Sequence, residues 1–205
     1  MNVDFDEKAK EWDADPTKIE RARAIAEGIK KRVPLSPDMS AFEYGCGTGL
    51  LSFALKPYLA RFTLADSSTG MLKVLEEKIA VSGFRNMTPM KLDLMSDPLP
   101  SERYQLIYTM MTLHHIPDTG KILRDFYELL KSPGYLCVAD LDEEDGSFHG
   151  PEFEGHKGFG RKVLGDSAER VGFRSPSFTT VYRMSKGTGE SRKDYPIFLM
   201  IAEKK

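Results

Sequence analysis

The sequence predicts an α/β fold, in which a doubly wound sheet of seven strands carries helices on both faces. Strand-length apolar segments alternate with helix-length amphipathic segments between residues 39 and 171, and this alternation is typical of a parallel sheet with crossover helices. A stretch with three glycines lies directly between the first predicted strand and the first crossover helix. The last two predicted strands have no helix between them, so they must pair antiparallel.

Length and composition restrict the class of protein. The 205 residues correspond to one domain, and a net charge of −2 with mixed signs predicts no broad basic face for nucleic acid. Apolar runs such as 197–202 are too short to span a bilayer, and the acidic N-terminus lacks a secretory apolar segment. Cys46 and Cys137 belong to no CxxC or Cys/His cluster, which argues against structural zinc and disulfides. We therefore expect a cytoplasmic protein without a membrane partner.

Residues 1–38 are expected to form a helical cap, followed by a Rossmann-like core at 39–205. Asp15 is suited to cap a helix that begins at Pro16. The apolar face of this helix follows spacings of three and four and comprises Ile19, Ala22, Ala26, Ile29 and Val33. In the amphipathic segment 5–13 ahead of it, Phe5 and Trp12 either dock on the body or belong to a lid over the site.

The glycine stretch follows a strand predicted at residues 39–44. Gly45, Gly47 and Gly49 alternate with other residues, and a helical apolar pattern begins at Leu50. Glycine admits positive φ and a close approach to the backbone, and the amides of such a loop favour a partly negative ligand. A nucleoside-like cofactor is therefore expected here. The dinucleotide pattern G-x-G-x-x-G is absent, since the required third glycine is replaced by Leu50 or Ser52.

The remaining elements alternate along the chain. Further strands are predicted at 62–65, 87–91, 104–110, 177–184 and 195–203. The strand between 104–110 and 177–184 is expected to follow a turn at 131–136 and to end at Asp140. Helices are predicted from Leu50 to Leu55, from just after Asp66 to Ser82, at 119–131 and at 159–171. The apolar residues of the first of these helices are expected to point mostly inward. Asp66 ends the second strand, where its carboxylate can accept hydrogen bonds from two ribose hydroxyls or can cap the following helix, and both roles are compatible.

Several motifs together resemble the class I S-adenosylmethionine-dependent methyltransferase family. They are E-Y-G-C-G-T-G at 43–49, D-x-S-x-x-M-L at 66–72, L-H-H-x-x-D at 113–118 and the final antiparallel pair, and the resemblance extends over residues 5–205. It implies the strand order 3-2-1-4-5-7-6 with an antiparallel strand 7. It also implies in-line methyl transfer from S-adenosyl-L-methionine to an O, N, S or C atom, with S-adenosyl-L-homocysteine as the product.

The resemblance also assigns cofactor roles to residues. The three glycines would hold the methionine and ribose parts, Glu43 would order their loop, and Asp66 would bind the ribose. Adenine would contact Asp93 through its amino group and the Leu94 amide through a ring nitrogen, although Asp93 could also be a surface turn acid. The other positions assigned to the cofactor site are Trp12, Cys46, Ser67, Met71 and the carbonyl of Met110.

Two positions depart from the family pattern. Gln105 stands where an acid usually supports the glycine loop, and Pro133 replaces the first glycine of the turn before strand 5. Proline requires negative φ, so this turn must differ from the usual one.

The four histidines are candidates for chemistry. His114 and His115 suggest a metal or a general base, but adjacent histidines in a loop are expected to point apart without a carboxylate partner. We therefore expect local structure, with one ring near the cofactor and no metal site. His149 and His156 lie in a segment resembling D-x-x-x-E-D-G-x-F-H followed by H-x-G-F, which would roof the acceptor pocket. Each is a weak candidate for a catalytic base or acceptor-orienting group, or else bonds to the backbone.

The methyl acceptor is expected to be a small molecule. The [DNS]-P-P-[YFW] motif of amino-methylating nucleic-acid enzymes is replaced by T-M-M-T at 109–112, and no nucleic-acid partner is expected. Three alternatives remain open at this stage: a dinucleotide reductase, a non-catalytic methyltransferase-like subunit that binds a partner, and a protein or RNA methyltransferase. The acceptor and the oligomeric state are not defined by the sequence.

Overall fold

A computed structural model describes residues 5–205, apart from the side chain of Glu190. Its seven strands form one sheet in the order β3-β2-β1-β4-β5-β7-β6. The strands are β1 (Ser40–Tyr44), β2 (Arg61–Asp66), β3 (Met87–Lys91), β4 (Tyr104–Met110), β5 (Leu130–Leu141), β6 (Arg174–Lys186) and β7 (Lys193–Lys204). The expected fold class and strand order are therefore confirmed.

Strand β1 lies at the point where the winding of the sheet reverses. Its residue Phe42 pairs with Thr63 of β2 on one side and with Ile107 of β4 on the other, both in parallel. All five residues of β1 are buried, as expected of a central parallel strand. The loops after β1 and β4 diverge from here, and they form the crevice at the carboxyl ends of the strands where α/β sheets bind ligands.

Strand β7 is antiparallel to both of its neighbours. Leu136 of β5 pairs with Ala202 of β7, and Phe178 of β6 pairs with Met200 of β7. The connection between β6 and β7 holds only a short 3₁₀ helix, Gly189–Ser191, and this made the direction predictable, because a parallel pair requires a longer crossover connection.

Helices cover both faces of the sheet. They are α1 (Phe5–Lys8), α2 (Pro16–Arg32), α3 (Leu50–Leu55), α4 (Thr69–Ser82), α5 (Thr119–Leu129) and α6 (Arg161–Val171). On one face, Ile25 of α2, Leu51 of α3 and Leu75 of α4 share a buried cluster. On the other, Phe126 of α5 and Leu164 of α6 share a second cluster. This two-layered burial is that of a doubly wound sheet.

The cap helix begins as the sequence predicts. The Asp15 side chain accepts a hydrogen bond from the Thr17 amide, and Pro16 is the first helical residue. The predicted inward face is shifted slightly, because Ile25 is fully buried and Ile19 only half-buried. Residues 1–4 of the predicted cap lie outside the described residues.

The predicted turn at 131–136 and the end of the preceding helix were wrong. Helix α5 ends at Leu129, and β5 begins at once because buried Leu130 pairs with Tyr104 of β4. The register with β4 then shifts before Tyr135, which pairs with Leu106, and the Ser132–Pro133 peptide bond between the two pairs is cis. An extended segment with an irregularity therefore replaces the turn.

Within residues 5–205, no helix combines the length and apolar character that a membrane span requires.

Candidate active site

The glycine loop after β1 is a left-handed turn at all three glycines. The φ angles are 68° at Gly45, 53° at Gly47 and 81° at Gly49, in a region that side chains other than glycine rarely adopt. The Cys46 amide donates to the Ala65 carbonyl of β2 at 3.0 Å, so the loop is fixed to the neighbouring strand. The buried Cys46 thiol donates to the Gly47 carbonyl within the loop, and burial holds the pKa of this thiol well above its usual value.

Asp66 binds the glycine loop as well as facing the crevice. Its Oδ2 accepts from the Gly47 amide at 2.7 Å, and its Oδ1 accepts from the Ser68 amide at 2.8 Å. A carboxylate has about four acceptor sites, so acceptor capacity remains for a ribose. The N-cap of α4 is Ser68, whose hydroxyl accepts from the Met71 amide, and not Asp66. Burial raises the pKa of Asp66, an effect that its backbone donors oppose.

The space over Gly47 is open. A Cβ atom built there would meet nothing nearer than the Met71 sulfur at 3.9 Å. Met71 is buried below this point, while Ser67 is exposed beside it. The loop thus offers bare backbone next to the Asp66 carboxylate, which is the arrangement expected for a nucleoside ligand.

The predicted adenine contacts after β3 are occupied by protein groups. The Leu94 amide donates to the Tyr44 hydroxyl at 3.1 Å, and the Asp93 Oδ1 accepts from the Met95 amide at 2.9 Å. Asp93 retains acceptor capacity, but an adenine nitrogen would have to replace Tyr44 at the Leu94 amide. Both adenine contacts remain predictions.

The end of β4 is strained next to the glycine loop. Met111 has φ of 55°, which is uncommon for a residue with a side chain, and strained residues of this kind cluster at functional sites. Thr112 follows, and its hydroxyl lies 3.1 Å from the Met110 carbonyl and 3.3 Å from the Gly45 carbonyl. A carbonyl oxygen has two lone pairs, so the Met110 carbonyl can still accept from a cofactor amino group as predicted.

Glu43 acts on helix α3 and makes no hydrogen bond to the glycine loop. Its Oε2 accepts from the Ser52 hydroxyl, which lies 2.5 Å from the Tyr108 hydroxyl, while its Oε1 is buried without a partner among the described residues. Complete burial raises the pKa of Glu43 to about 8. The side chain is therefore protonated at neutral pH, and a loop-ordering effect would have to act through α3.

Glu43→Gln is expected to remove a pH dependence from the stability. The folded-state pKa of about 8 exceeds the usual value of 4.5, so folding favours the protonated acid and this contribution is lost as pH rises from 4.5 through 8. The free energy of unfolding of the wild type relative to the variant, measured in denaturant, should fall by about 3–4 kcal/mol between pH 5 and pH 8. The exposed Glu76→Gln should show no such shift. A wild-type-to-variant difference that is equal at both pH values would mean that Glu43 is ionised throughout.

The N-terminal cap is docked on the glycine loop. Asp13 accepts from the Thr48 hydroxyl at 2.5 Å and pairs with Lys78 of α4 at 2.6 Å, and Lys78 also donates to the Thr48 carbonyl. Trp12 lies 6.0 Å from Phe5, ring to ring, and under the Lys18 ammonium. The cap therefore closes one side of the crevice in this structure, and its movement as a lid stays a prediction.

Three of the four histidines lie together at the ends of β4 and β5. One ring nitrogen each of His114, His115 and His149 lies within 4.8 Å of the other two, and we call these residues the histidine cluster. The ring centroids of His114 and His115 are 4.2 Å apart, and Asp140 Oδ1 lies 2.6 Å from His114 Nδ1. The prediction that these rings point apart and lack a carboxylate was wrong. A short 3₁₀ helix, Leu113–His115, orients the two rings, and the loop after β5 returns over them.

The two weak candidates for a catalytic base differ in their surroundings. His156 Nε2 lies 2.9 Å from the Ile116 carbonyl, so this ring bonds to the backbone. Burial, with neighbouring His114, lowers the pKa of His149 to about 4, and burial lowers that of His115 to about 3. Both rings are neutral at pH 7 and are weak bases, whereas a general base works best with a pKa near the working pH.

Sequence reasoning missed several residues that shape the site. Thr48 and Lys78 receive the cap, Thr112 supports the glycine loop, Tyr44 holds the Leu94 amide and Asp140 orients His114. Asp140 had a usable signal, because it is an acid near the carboxyl end of a buried strand, as Asp66 is. The others depend on contacts between distant segments.

Comparisons with known proteins agree with this geometry. Residues 41–134 match a family model described as a methyltransferase domain. An uncharacterized methyltransferase of Schizosaccharomyces pombe is 34% identical over 124 residues, which are 55% of this chain and 42% of that protein. A ubiquinone biosynthesis O-methyltransferase of Xylella fastidiosa is 32% identical over 122 residues, 58% of this chain and 48% of the relative. The chain thus matches less than half the length of these relatives.

A solved structure has the same fold. A SAM-dependent methyltransferase from Aquifex aeolicus superposes with a TM-score of 0.66 at 20% identity, over 92% of this chain and 98% of that one.

Proposed function

We propose that this chain, whose residues 41–134 match a methyltransferase-domain family model, is a class I S-adenosylmethionine-dependent methyltransferase that transfers a methyl group from S-adenosylmethionine to a small-molecule acceptor. The observation that supports this most directly is the pairing of the glycine loop with Asp66, whose Oδ2 accepts from the Gly47 amide at 2.7 Å. One carboxylate thereby fixes the loop and keeps acceptor sites for a ribose.

The residues present fit the cofactor. The open backbone at Gly47 leaves room for the ribose and methionine parts, and Asp66 has unused acceptor capacity for the ribose hydroxyls. The Met110 carbonyl keeps a free lone pair for the amino group. Trp12 belongs to the docked cap and would limit the access of water to the crevice from the side that the cap covers.

The chain's own contribution to the reaction is alignment in a dry site. The cofactor, when bound, supplies an activated methyl group. The glycine loop and Asp66 would fix the position of its sulfonium, while the loops after β4 and β5 would orient the acceptor in line with it. Such alignment provides up to about 7–11 kcal/mol in favourable cases. The low pKa values of His115 and His149 fit an acceptor that reacts without a strong protein base.

The small-molecule class of the acceptor is supported by the surroundings of the crevice. Phe5, Phe153 and the histidine cluster place aromatic rings around it, with Phe5 and Phe153 each about 5 Å from His115. Aromatic side chains are common in the lining of small-molecule sites. The relative from Xylella fastidiosa, which is 32% identical to this chain over 122 residues, is named as an O-methyltransferase of ubiquinone biosynthesis.

Calorimetric titration of the full chain tests the proposal. S-adenosylmethionine and S-adenosylhomocysteine should bind at micromolar concentration with one molecule per chain, whereas NADPH should not bind. Binding of NADPH alone would overturn the proposal in favour of a reductase. No binding of any of the three would overturn it in favour of a non-catalytic, partner-binding subunit.

A further inference from the structure

The histidine cluster has the composition and support of a metal site. We propose that His114, His115 and His149 bind one divalent transition-metal ion, with Zn²⁺ as the best match. Three imidazoles suit Zn²⁺ and its first-row neighbours, whereas Mg²⁺ and Ca²⁺ require oxygen ligands. The cluster lies outside the groups assigned to the cofactor.

His114 is oriented as metal-binding histidines are. Its Nδ1 lies 2.6 Å from Asp140 Oδ1, and the fully buried Asp140 also accepts from the His114 and Leu141 amides. Because the carboxylate accepts at each contact, Nδ1 carries the proton and Nε2 keeps its lone pair for a metal. A carboxylate bound to the far nitrogen of a ligand imidazole is the usual second-shell arrangement at zinc.

His149 supplies an independent observation. Its Nε2 is buried and has no hydrogen-bond partner among the described residues. A buried polar atom without a partner destabilises the fold by about 1–3 kcal/mol. Such an atom next to two other imidazoles is therefore a candidate metal ligand. A metal ion would satisfy it where a protein donor does not.

The aromatic shell around the cluster favours neutral imidazoles and a fixed geometry. Phe153 stacks on His149 with centroids 4.0 Å apart, Phe148 lies edge-on at 4.7 Å, and Phe5 contacts His115 edge-on at 5.4 Å. An apolar shell of this kind controls solvent access and the electrostatics of a bound ion.

The distances need only a small adjustment. Zn–N bonds of about 2.0–2.1 Å in a tetrahedron separate the ligand nitrogens by about 3.3 Å, and the present separations are at most 4.8 Å. Shifts of about an ångström would close the site. His149 lies in the connection between β5 and α6, so its position is not fixed by a helix or strand.

Three protein ligands leave a fourth position open, as in catalytic zinc sites. If the proposed function holds, an acceptor oxygen or sulfur atom bound there would lose its proton near neutral pH, because the ion lowers the pKa of a bound group. This consequence rests on the proposed function, but metal binding itself does not.

The test is metal binding by the untagged full chain without cofactor. Zn²⁺ affinity is measured by competition with a chromophoric chelator, and Co²⁺ is used as a spectroscopic probe of coordination. The wild type should bind one Zn²⁺ per chain, with the visible absorption of tetrahedral Co²⁺ and no competition from Mg²⁺. His149→Ala should weaken Zn²⁺ binding by more than about 100-fold, and Asp140→Asn by about 10–100-fold.

His156→Ala is the matched control, because this fourth histidine bonds to the Ile116 carbonyl outside the cluster. It should bind Zn²⁺ as the wild type does. Thermal unfolding establishes that each variant is folded, and His115→Ala replaces any variant that is not. Absence of stoichiometric Zn²⁺ binding by the wild type, or equal binding by the His149 and His156 variants, would overturn the proposal. Because no cofactor is used, this failure is distinguishable from failure of the proposed function.

Discussion

Asp66→Ala is expected to lower the affinity for S-adenosylmethionine by at least about 100-fold. Two hydrogen bonds to the ribose would be lost, each worth about 1.5–3 kcal/mol because the acceptor is charged. The same substitution removes the partners of the Gly47 and Ser68 amides, so the glycine loop loses an anchor as well. Calorimetric titration of the variant with S-adenosylmethionine measures the effect.

Two further variants separate these contributions. Asp66→Asn keeps an oxygen that can accept from the Gly47 amide and should bind with intermediate affinity. Asp38→Ala removes an exposed acid ahead of β1, at the opposite end of that strand, and should bind as the wild type does. An Asp66→Ala variant that stays folded and retains wild-type affinity would show that this carboxylate does not hold the ribose.

Gly45→Ala should destabilise the fold by about 3 kcal/mol or more and should abolish cofactor binding. A Cβ atom at this position would lie 2.3 Å from the Thr112 Cγ2 and Oγ1 atoms, and the φ of 68° is itself unfavourable for alanine. Left-handed backbone costs about 1–2 kcal/mol, and an added methyl group in a packed region costs about 1–3 kcal/mol. Unfolding in denaturant gives the stability.

Gly83→Ala is a matched control for the backbone term alone. Gly83 ends α4 with φ of 71°, but a Cβ atom built there has no neighbour within 4 Å. This variant should lose only about 1–2 kcal/mol and should retain cofactor binding. Equal losses for the two variants would mean that the contact between the loops after β1 and β4 contributes nothing beyond backbone conformation.

Much of the fold followed from local patterns. The bounds of β3 and β4, the Asp15–Pro16 helix start and the antiparallel final pair were correct because each depends on neighbouring residues or on the length of a connection. The early start of β5 was missed because it depends on the pairing of Leu130 with Tyr104, a residue of another strand.

The site was predictable to a lesser degree. The glycines and Asp66 could be identified because they occupy fixed places after predicted strands. The surroundings of Glu43 could not, since its partners Ser52 and Tyr108 belong to two other elements. The partner of Leu94 could not be predicted either, because its amide donates to the hydroxyl of Tyr44, which lies fifty positions earlier in the chain.

The sequence by itself determined the fold class, the resemblance to methyltransferases and the position of the candidate cofactor loop, because these depend on periodicity, glycine spacing and acids at strand ends. Only the tertiary structure decided that the cap rests on Thr48 and that His149 returns to the adjacent His114 and His115 over Asp140. Such contacts join residues that are 26 to 35 positions apart, and the direction of a side chain is set by the backbone and packing of both segments. Sequence spacing contains no information on that direction.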